Sequence, residues 1–267
     1  MNGTLVTESF AGRELFIYLP PSYETSRAAF PVVYVQDGGD LFDPRQNNSL
    51  ARLECMFANG ELGELLLVGI EPKNRLDEYT PWHAKALSDK YADFGGQGSD
   101  YLSFLVEKLK PYIDRKYKTD GRRQQTGIIG ASLGGLISIY AAYLYPNVFG
   151  KIGSISGSFW YEGFIGFMQS KNIDPGLKMY MDVGSIEGIG KQSIQKEMVS
   201  KTKEACTILM NNGLASERLR FVLEEGAPHG RIFFSKRFPE ALKWLYSNET
   251  DLPAGGVGCP PTSIMHK

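Results

Sequence analysis

Ser132 lies in Gly130-Ala131-Ser132-Leu133-Gly134, a G-x-S-x-G match between the apolar run Thr126-Gly127-Ile128-Ile129 and the helix-forming Gly135-Leu136-Ile137-Ser138-Ile139-Tyr140-Ala141-Ala142. Strand, tight turn and helix in that order convert an ordinary hydroxyl into a candidate nucleophile. The glycines allow a sharp turn, the Oγ is pushed out at the end of a strand, and the helix points its positive N-terminus at the reacting atoms. The five-residue match alone is weak, so its partners must carry the reading.

A serine nucleophile needs a base to take its proton and an acid to orient the base. The chain has three histidines, His83, His229 and His266. His266 is in the C-terminal tail, and His83 precedes Ser132 in a long aromatic loop. His229 follows the last predicted strand in Gly226-Ala227-Pro228-His229-Gly230. Loops at the carboxyl ends of parallel strands converge on one site, in chain order serine, acid, histidine, so His229 is the expected base. For the acid, Glu187 sits in the loop after the strand at 177–183 and is preferred. Asp182 is second, because its side chain can turn sideways into the sheet. Glu224 and Glu225 lie close to His229 in sequence. The oxyanion needs two backbone N–H donors. Leu133, directly after the serine, is one candidate. Gly39, in the Asp37-Gly38-Gly39-Asp40 turn after the strand at 31–36, is the other.

These residues need a frame. Strands are expected at 4–10 and 13–19, joined at Ala11-Gly12, and at 31–36, 65–70, 125–130, 150–156, 177–183 and 218–224. Helices are expected at 50–61, 101–114, 133–145, 161–169, 191–212 and 232–247. Alternating strands and helices with short connections imply an α/β fold: a mostly parallel sheet with helices on both faces, plus antiparallel N-terminal edge strands. Residues 71–99 read as a long irregular loop rich in Pro, Gly and aromatics. Residues 1–250 read as one domain without a separate cap, and 251–267 as a flexible tail.

Composition excludes several classes. The 267 residues carry 29 basic and 30 acidic side chains, which argues against nucleic-acid or electrostatic membrane binding. No signal peptide or spanning segment is visible. Cys55, Cys206 and Cys259 form no CxxC and no disulfide framework; they read as buried apolar fillers, with Cys259 exposed in the tail, consistent with a reducing, cytoplasmic location. Three scattered histidines without paired spacing make a zinc site a poor reading, so neither metal nor cofactor is expected.

Several segments together resemble the putative esterase (esterase D-like) family of α/β-hydrolases over roughly residues 1–247. They are Val33-Tyr34-Val35-Gln36-Asp37-Gly38, Glu78-Tyr79-Thr80-Pro81-Trp82, Tyr101 to Asp114, Gly130 to Leu136, and Ser154-Ile155-Ser156-Gly157-Ser158-Phe159-Trp160. The resemblance implies Ser132 and His229 as catalytic residues and favours Glu187 over Asp182, although some siderophore esterases resemble a Ser–His dyad. It also implies an ester substrate. The short 71–99 insert is similar to bacterial siderophore trilactone (enterobactin or bacillibactin) hydrolases. A ferric catecholate would need aromatic walls and cations. Phe42, Trp82, Phe159, Trp160 and Tyr161 are the candidate walls, and Arg75, Lys85 and Arg231 the candidate cations. The alternatives are a short-acyl, acetyl-sugar or feruloyl esterase, an S-formylglutathione-type thioesterase, or a catalytically idle binding module. Oligomeric state is left open.

Overall fold

In the computed structural model of the chain, residues 1–247 are described. The expected tail, with Cys259 and His266, lies outside the described residues. Period-2 alternation explains why the apolar strands pack on two sides. In Val32–Gln36, Val32 and Tyr34 face one core while Val33 and Val35 face the other. In Leu66–Ile70, Leu66, Val68 and Ile70 join the first core and Leu67 the second. Strands buried on both faces read as continuous apolar runs, as these do.

The strands are β1 (Thr4–Phe10), β2 (Arg13–Leu19), β3 (Val32–Gln36), β4 (Leu66–Ile70), β5 (His83–Ala84), β6 (Phe94–Gly95), β7 (Thr126–Ala131), β8 (Lys151–Ile155), β9 (Lys178–Gly184) and β10 (Leu219–Glu224). Eight form one sheet in the order β1-β2-β4-β3-β7-β8-β9-β10. From β4 to β10 the pairing is parallel; β1 and β2 are antiparallel at one edge. Their hairpin turns at Ala11 and Gly12, both at positive φ (51° and 72°), the conformation a two-residue hairpin needs.

The helices are α1 (Ser49–Ala58), α2 (Arg75–Glu78), α3 (Gly98–Phe104), α4 (Lys110–Lys116), α5 (Leu133–Leu144), α6 (Phe164–Gln169), α7 (Met198–Asn211) and α8 (Arg231–Tyr246). Residues of α3 to α7 bury their apolar stripes in the first core, and α1 and α8 cover the other face with Leu50, Leu53, Phe234, Phe238 and Leu242. This is the α/β architecture expected. Between α3 and α4, Leu105–Leu109 winds as a wider π turn. Pro111 accounts for it, since a proline ring has no N–H and crowds the carbonyl four residues back.

Three expectations change. Residues 71–99 are not structureless: Asn74 caps α2 by accepting from Leu76 N at 3.1 Å, and β5 pairs with β6. Buried Arg13 grips Glu78 through two hydrogen bonds, 2.5 and 2.7 Å, and ties that segment to β2. Helix α7 starts at Met198 rather than 191, because Gly188 and Gly190 take positive φ and Ser193 caps a separate 3-10 turn. Cys55 is exposed, and buried Cys206 is not a free thiol. No described helix is long and apolar enough to cross a membrane.

Candidate active site

Ser132 follows β7 directly and precedes α5, with φ 58° and ψ −119°. Such a turn needs glycine neighbours. A Cβ added to Gly130 would stand 2.6 Å from the Gly134 backbone, and one on Gly134 3.0 Å from Gln36. The turn is pinned to the end of β8, with Ser132 N donating to Ile155 O at 3.0 Å and Ser158 N to Ser132 O at 3.1 Å. As the first residue of α5, Leu133 has a backbone N–H with no intrahelical acceptor.

Three loops meet here. His229 Nε2 lies 3.2 Å from Ser132 Oγ, and His229 Nδ1 lies 2.7 Å from Glu187 Oε2. The loop of Glu187 and the loop of His229 touch at Gly184, where an added Cβ would fall 2.0 Å from Ala227 O. Phe234, on the first turn of α8, meets the imidazole edge-on at 4.8 Å. Glu187 is 2% exposed. Its Oε1 accepts from Ser156 Oγ at 2.6 Å, Gly184 N at 2.7 Å and Arg237 Nη1 at 3.4 Å. Burial pushes this carboxyl up, but hydrogen bonds from His229, Ser156 and Gly184 outweigh it and hold the group below the ordinary carboxylate value.

The other candidate acids sit elsewhere. Asp182, fully buried, accepts from Ser156 N (3.0 Å) and Arg237 Nη1 (2.9 Å), and burial pushes it up to about 7. Glu224 holds Lys236 and Arg237, and Glu225 accepts from Ser185. Glu187 is the acid in contact with His229.

Ser132 and His229 open into a cleft of about 620 Å³ that Asp37, Asp40, Leu41, Glu71, Arg231 and Phe234 also line. Arg75 lines it and is held by Asp37 (2.6 and 3.0 Å) and by Ala131 O (3.3 Å). Arg231 reaches Asp40 at 3.3 Å and is 79% exposed. Asp37, Gly38 and Gly39 all take positive φ, and this turn packs on Gly69, where an added Cβ would stand 2.6 Å from Gly39 N.

The aromatic residues expected as pocket walls lie away from this cleft. Phe42 is fully buried between Phe16 and Phe238. Trp82 packs among Tyr140, Tyr161, Phe164 and Phe167 and donates to Glu162 O at 2.8 Å. Phe159, Trp160 and Tyr161 are buried and line a second cavity of about 410 Å³ beside Lys85. Phe94 of β6 and Phe164 and Phe167 of α6 pack against these rings. Lys85 is paired with Asp93, which also lies 3.6 Å from exposed His83.

Sequence reading missed Ser156, Ser158 and Arg237. Ser158 Oγ lies 3.3 Å from Ser132 Oγ. Arg237 had a visible signal: it occupies an apolar-stripe position of α8 among Phe234, Phe238 and Ala241. Among the described residues, no group of three or more His, Cys, Asp or Glu side chains could hold a metal ion.

The sequence is 47% identical over 247 residues to YbbA, an uncharacterized protein of Bacillus subtilis, covering 92% of this chain and 97% of the relative. Among solved structures, an IroE-like serine hydrolase from Shewanella oneidensis superposes with a TM-score of 0.74 at 19% identity, covering 91% of this chain and 80% of that one. The enterobactin esterase FES from Shigella flexneri gives 0.72 at 16% identity, covering 92% of this chain and 59% of its own. The profile of the family described as "Putative esterase" matches residues 11–245, so the chain belongs to that family of carboxylic-ester hydrolases, with the α/β-hydrolase fold.

Proposed function

We propose that the protein is a serine esterase working through an acyl-enzyme. The continuous contact from Ser132 Oγ through His229 to Glu187, at 3.2 and 2.7 Å, carries this reading. Ser132 Oγ attacks the ester carbonyl carbon while its proton passes to His229 Nε2. The C–O bond to the alcohol then breaks, and the imidazolium returns that proton to the leaving alkoxide. Water then gives a proton to the same imidazole as its oxygen bonds to the acyl carbon; the acyl–Oγ bond breaks, the imidazolium returns the proton to Ser132 Oγ, and the acid leaves. Glu187 faces the positive charge that forms on His229 in each half-reaction. The N–H groups of Leu133 and Gly39 receive the oxyanion.

For the substrate we propose a catecholate siderophore trilactone. Relatives named siderophore enterobactin esterase and siderophore triacetylfusarinine C esterase match at 22% and 25% identity. The cleft is uncapped, and Arg231 is held by one exposed pairing of the kind that contributes little, so it is available to an anionic ligand. A small neutral ester is the second reading. The observation favouring it is that Asp37, Asp40 and Glu71 line the cleft while the large aromatic rings are buried elsewhere.

The test is hydrolysis of a ferric tricatecholate trilactone beside p-nitrophenyl acetate and a feruloyl ester, with Ser132→Ala as control. Ser132-dependent opening of the trilactone well above the others supports the first substrate. Turnover of only the small esters sinks it and keeps the mechanism. No Ser132-dependent turnover, together with no fluorophosphonate labelling, leaves a binding module.

A further inference from the structure

Behind Glu187 lies a cluster that the proton transfer itself does not use. Ser156, directly after β8, has a φ of 48°, a left-handed conformation that a non-glycine residue keeps only where its surroundings over-determine it. Its N–H donates to Asp182 O (3.1 Å) and Asp182 Oδ1 (3.0 Å). Its Oγ donates to Glu187 Oε1 at 2.6 Å and accepts from Arg237 Nη1 at 2.8 Å. Arg237, 5% exposed, is anchored by Nε on Glu224 Oε2 at 2.5 Å, and its Nη1 also reaches Glu187 Oε1 at 3.4 Å.

The two oxygens of Glu187 therefore have different surroundings. Donors from Ser156, Gly184 and Arg237 converge on Oε1, while Oε2 faces His229 Nδ1. A carboxylate able to turn about its last bond would present either oxygen and would wander from the imidazole. Three donors on one oxygen prevent that. Simple fold stabilisation accounts poorly for the cluster. Arg237 Nη2 and Asp182 Oδ2 are buried without a partner among the described residues, and buried ion clusters left incomplete in this way add little stability.

We propose that Ser156 and Arg237 are positioning residues: together they fix the Glu187 carboxylate in the one orientation that presents Oε2 to His229, and so set kcat without touching substrate. The proposal rests on the serine-esterase reading above. Arg237 also lines a surface cleft of about 590 Å³ beside Arg220, Lys236 and Trp244, so truncating it opens a path by which a small guanidinium can enter.

The experiment compares wild type, Ser156→Ala, Arg237→Ala and Ser132→Ala on an ester the wild type turns over, with kcat, KM and melting temperature for each. Arg237→Ala is also assayed with added ethylguanidinium. Ser156→Ala should lower kcat about 10- to 100-fold, the range spanned by one lost hydrogen bond to a charged group, with KM within about twofold and melting little changed. Arg237→Ala should lose kcat similarly and regain several-fold with ethylguanidinium, which should do nothing for Ser156→Ala. A Ser156→Ala enzyme with kcat within twofold of wild type, or changed only in KM, overturns the proposal. Should Arg237→Ala fail to fold, Ser156→Ala decides alone. Turnover surviving in Ser132→Ala would remove the serine mechanism itself. Loss there with normal kcat in Ser156→Ala removes only the positioning role.

Discussion

At the scale of single residues, one carboxylate, Glu187, meets the His229 imidazole, while Asp182, Glu224 and Glu225 are engaged by other partners. On the serine-esterase reading, Ser132→Ala removes the attacking oxygen and nothing that packs, so kcat/KM should fall at least about 10³-fold with an unchanged melting curve. Glu187→Gln keeps shape and volume but replaces the acceptor facing His229 Nδ1 with an amide that can donate there, favouring the wrong tautomer. We expect a loss of about 10³- to 10⁴-fold in kcat. Glu225→Gln, at an exposed carboxylate that accepts from half-buried Ser185 and not from His229, should stay within about twofold of wild type in the same assay. A large loss there would move the acid away from Glu187. Ser132, His229 and the short list of acids were legible in the sequence because motif, chain order and strand ends constrain them. The sequence already placed Glu187 above Asp182, but the contact with His229 itself was not legible there. It depends on the fold-back that brings Glu187 N to Gly184 O at 3.1 Å and swings the side chain under His229, a turn no periodicity encodes.

At the scale of elements, glycines divide into those the turn requires and those it merely tolerates. Gly130→Ala puts a methyl group against the backbone of Gly134, which cannot give way, so the β7–α5 corner must open. We expect about 1–3 kcal/mol of destabilisation by urea titration, together with loss of activity. Gly166, inside α6, has open space where a Cβ would go and no positive φ, so Gly166→Ala should stabilise by roughly 0.5–1 kcal/mol and leave kcat alone. The sheet strands were readable to within a residue or so because their apolar runs end at turn-forming residues. The 71–99 segment was not, because its order comes from distant partners: Arg13 holding Glu78, and Tyr161 hydrogen-bonded to Trp82 O. That the expected aromatic walls do not line the Ser132 cleft was illegible for the same reason, since nothing local distinguishes a ring that lines one cleft from a ring packed elsewhere.

At the scale of the whole molecule, two buried acids act on stability in opposite directions. Asp182 has a folded value of about 7 against an ordinary 3.8. Between these values the unfolded chain has released a proton that the folded chain keeps, so raising pH from about 4 to about 7 favours unfolding. Glu187 is depressed; its contribution is complete above the ordinary carboxylate value and is lost as pH falls through the folded one. Asp182→Asn removes only the first effect. Urea melts should show the variant gaining on wild type between pH 5 and pH 7 and holding that gain above pH 8. A pH-independent difference would mean that Asp182 is ionised throughout.

The placement of β10 at the rim of the sheet has a temporal meaning. Ser132 precedes His229 by 97 residues, and His229 follows this outermost strand, which pairs with β9; on the serine-esterase reading the site is complete only after that strand docks. On that reading, a chain whose last strand has not docked carries Ser132 without its base. Covalent labelling of Ser132 would therefore report, in a refolding or translating chain, the moment at which the last strand closes the sheet.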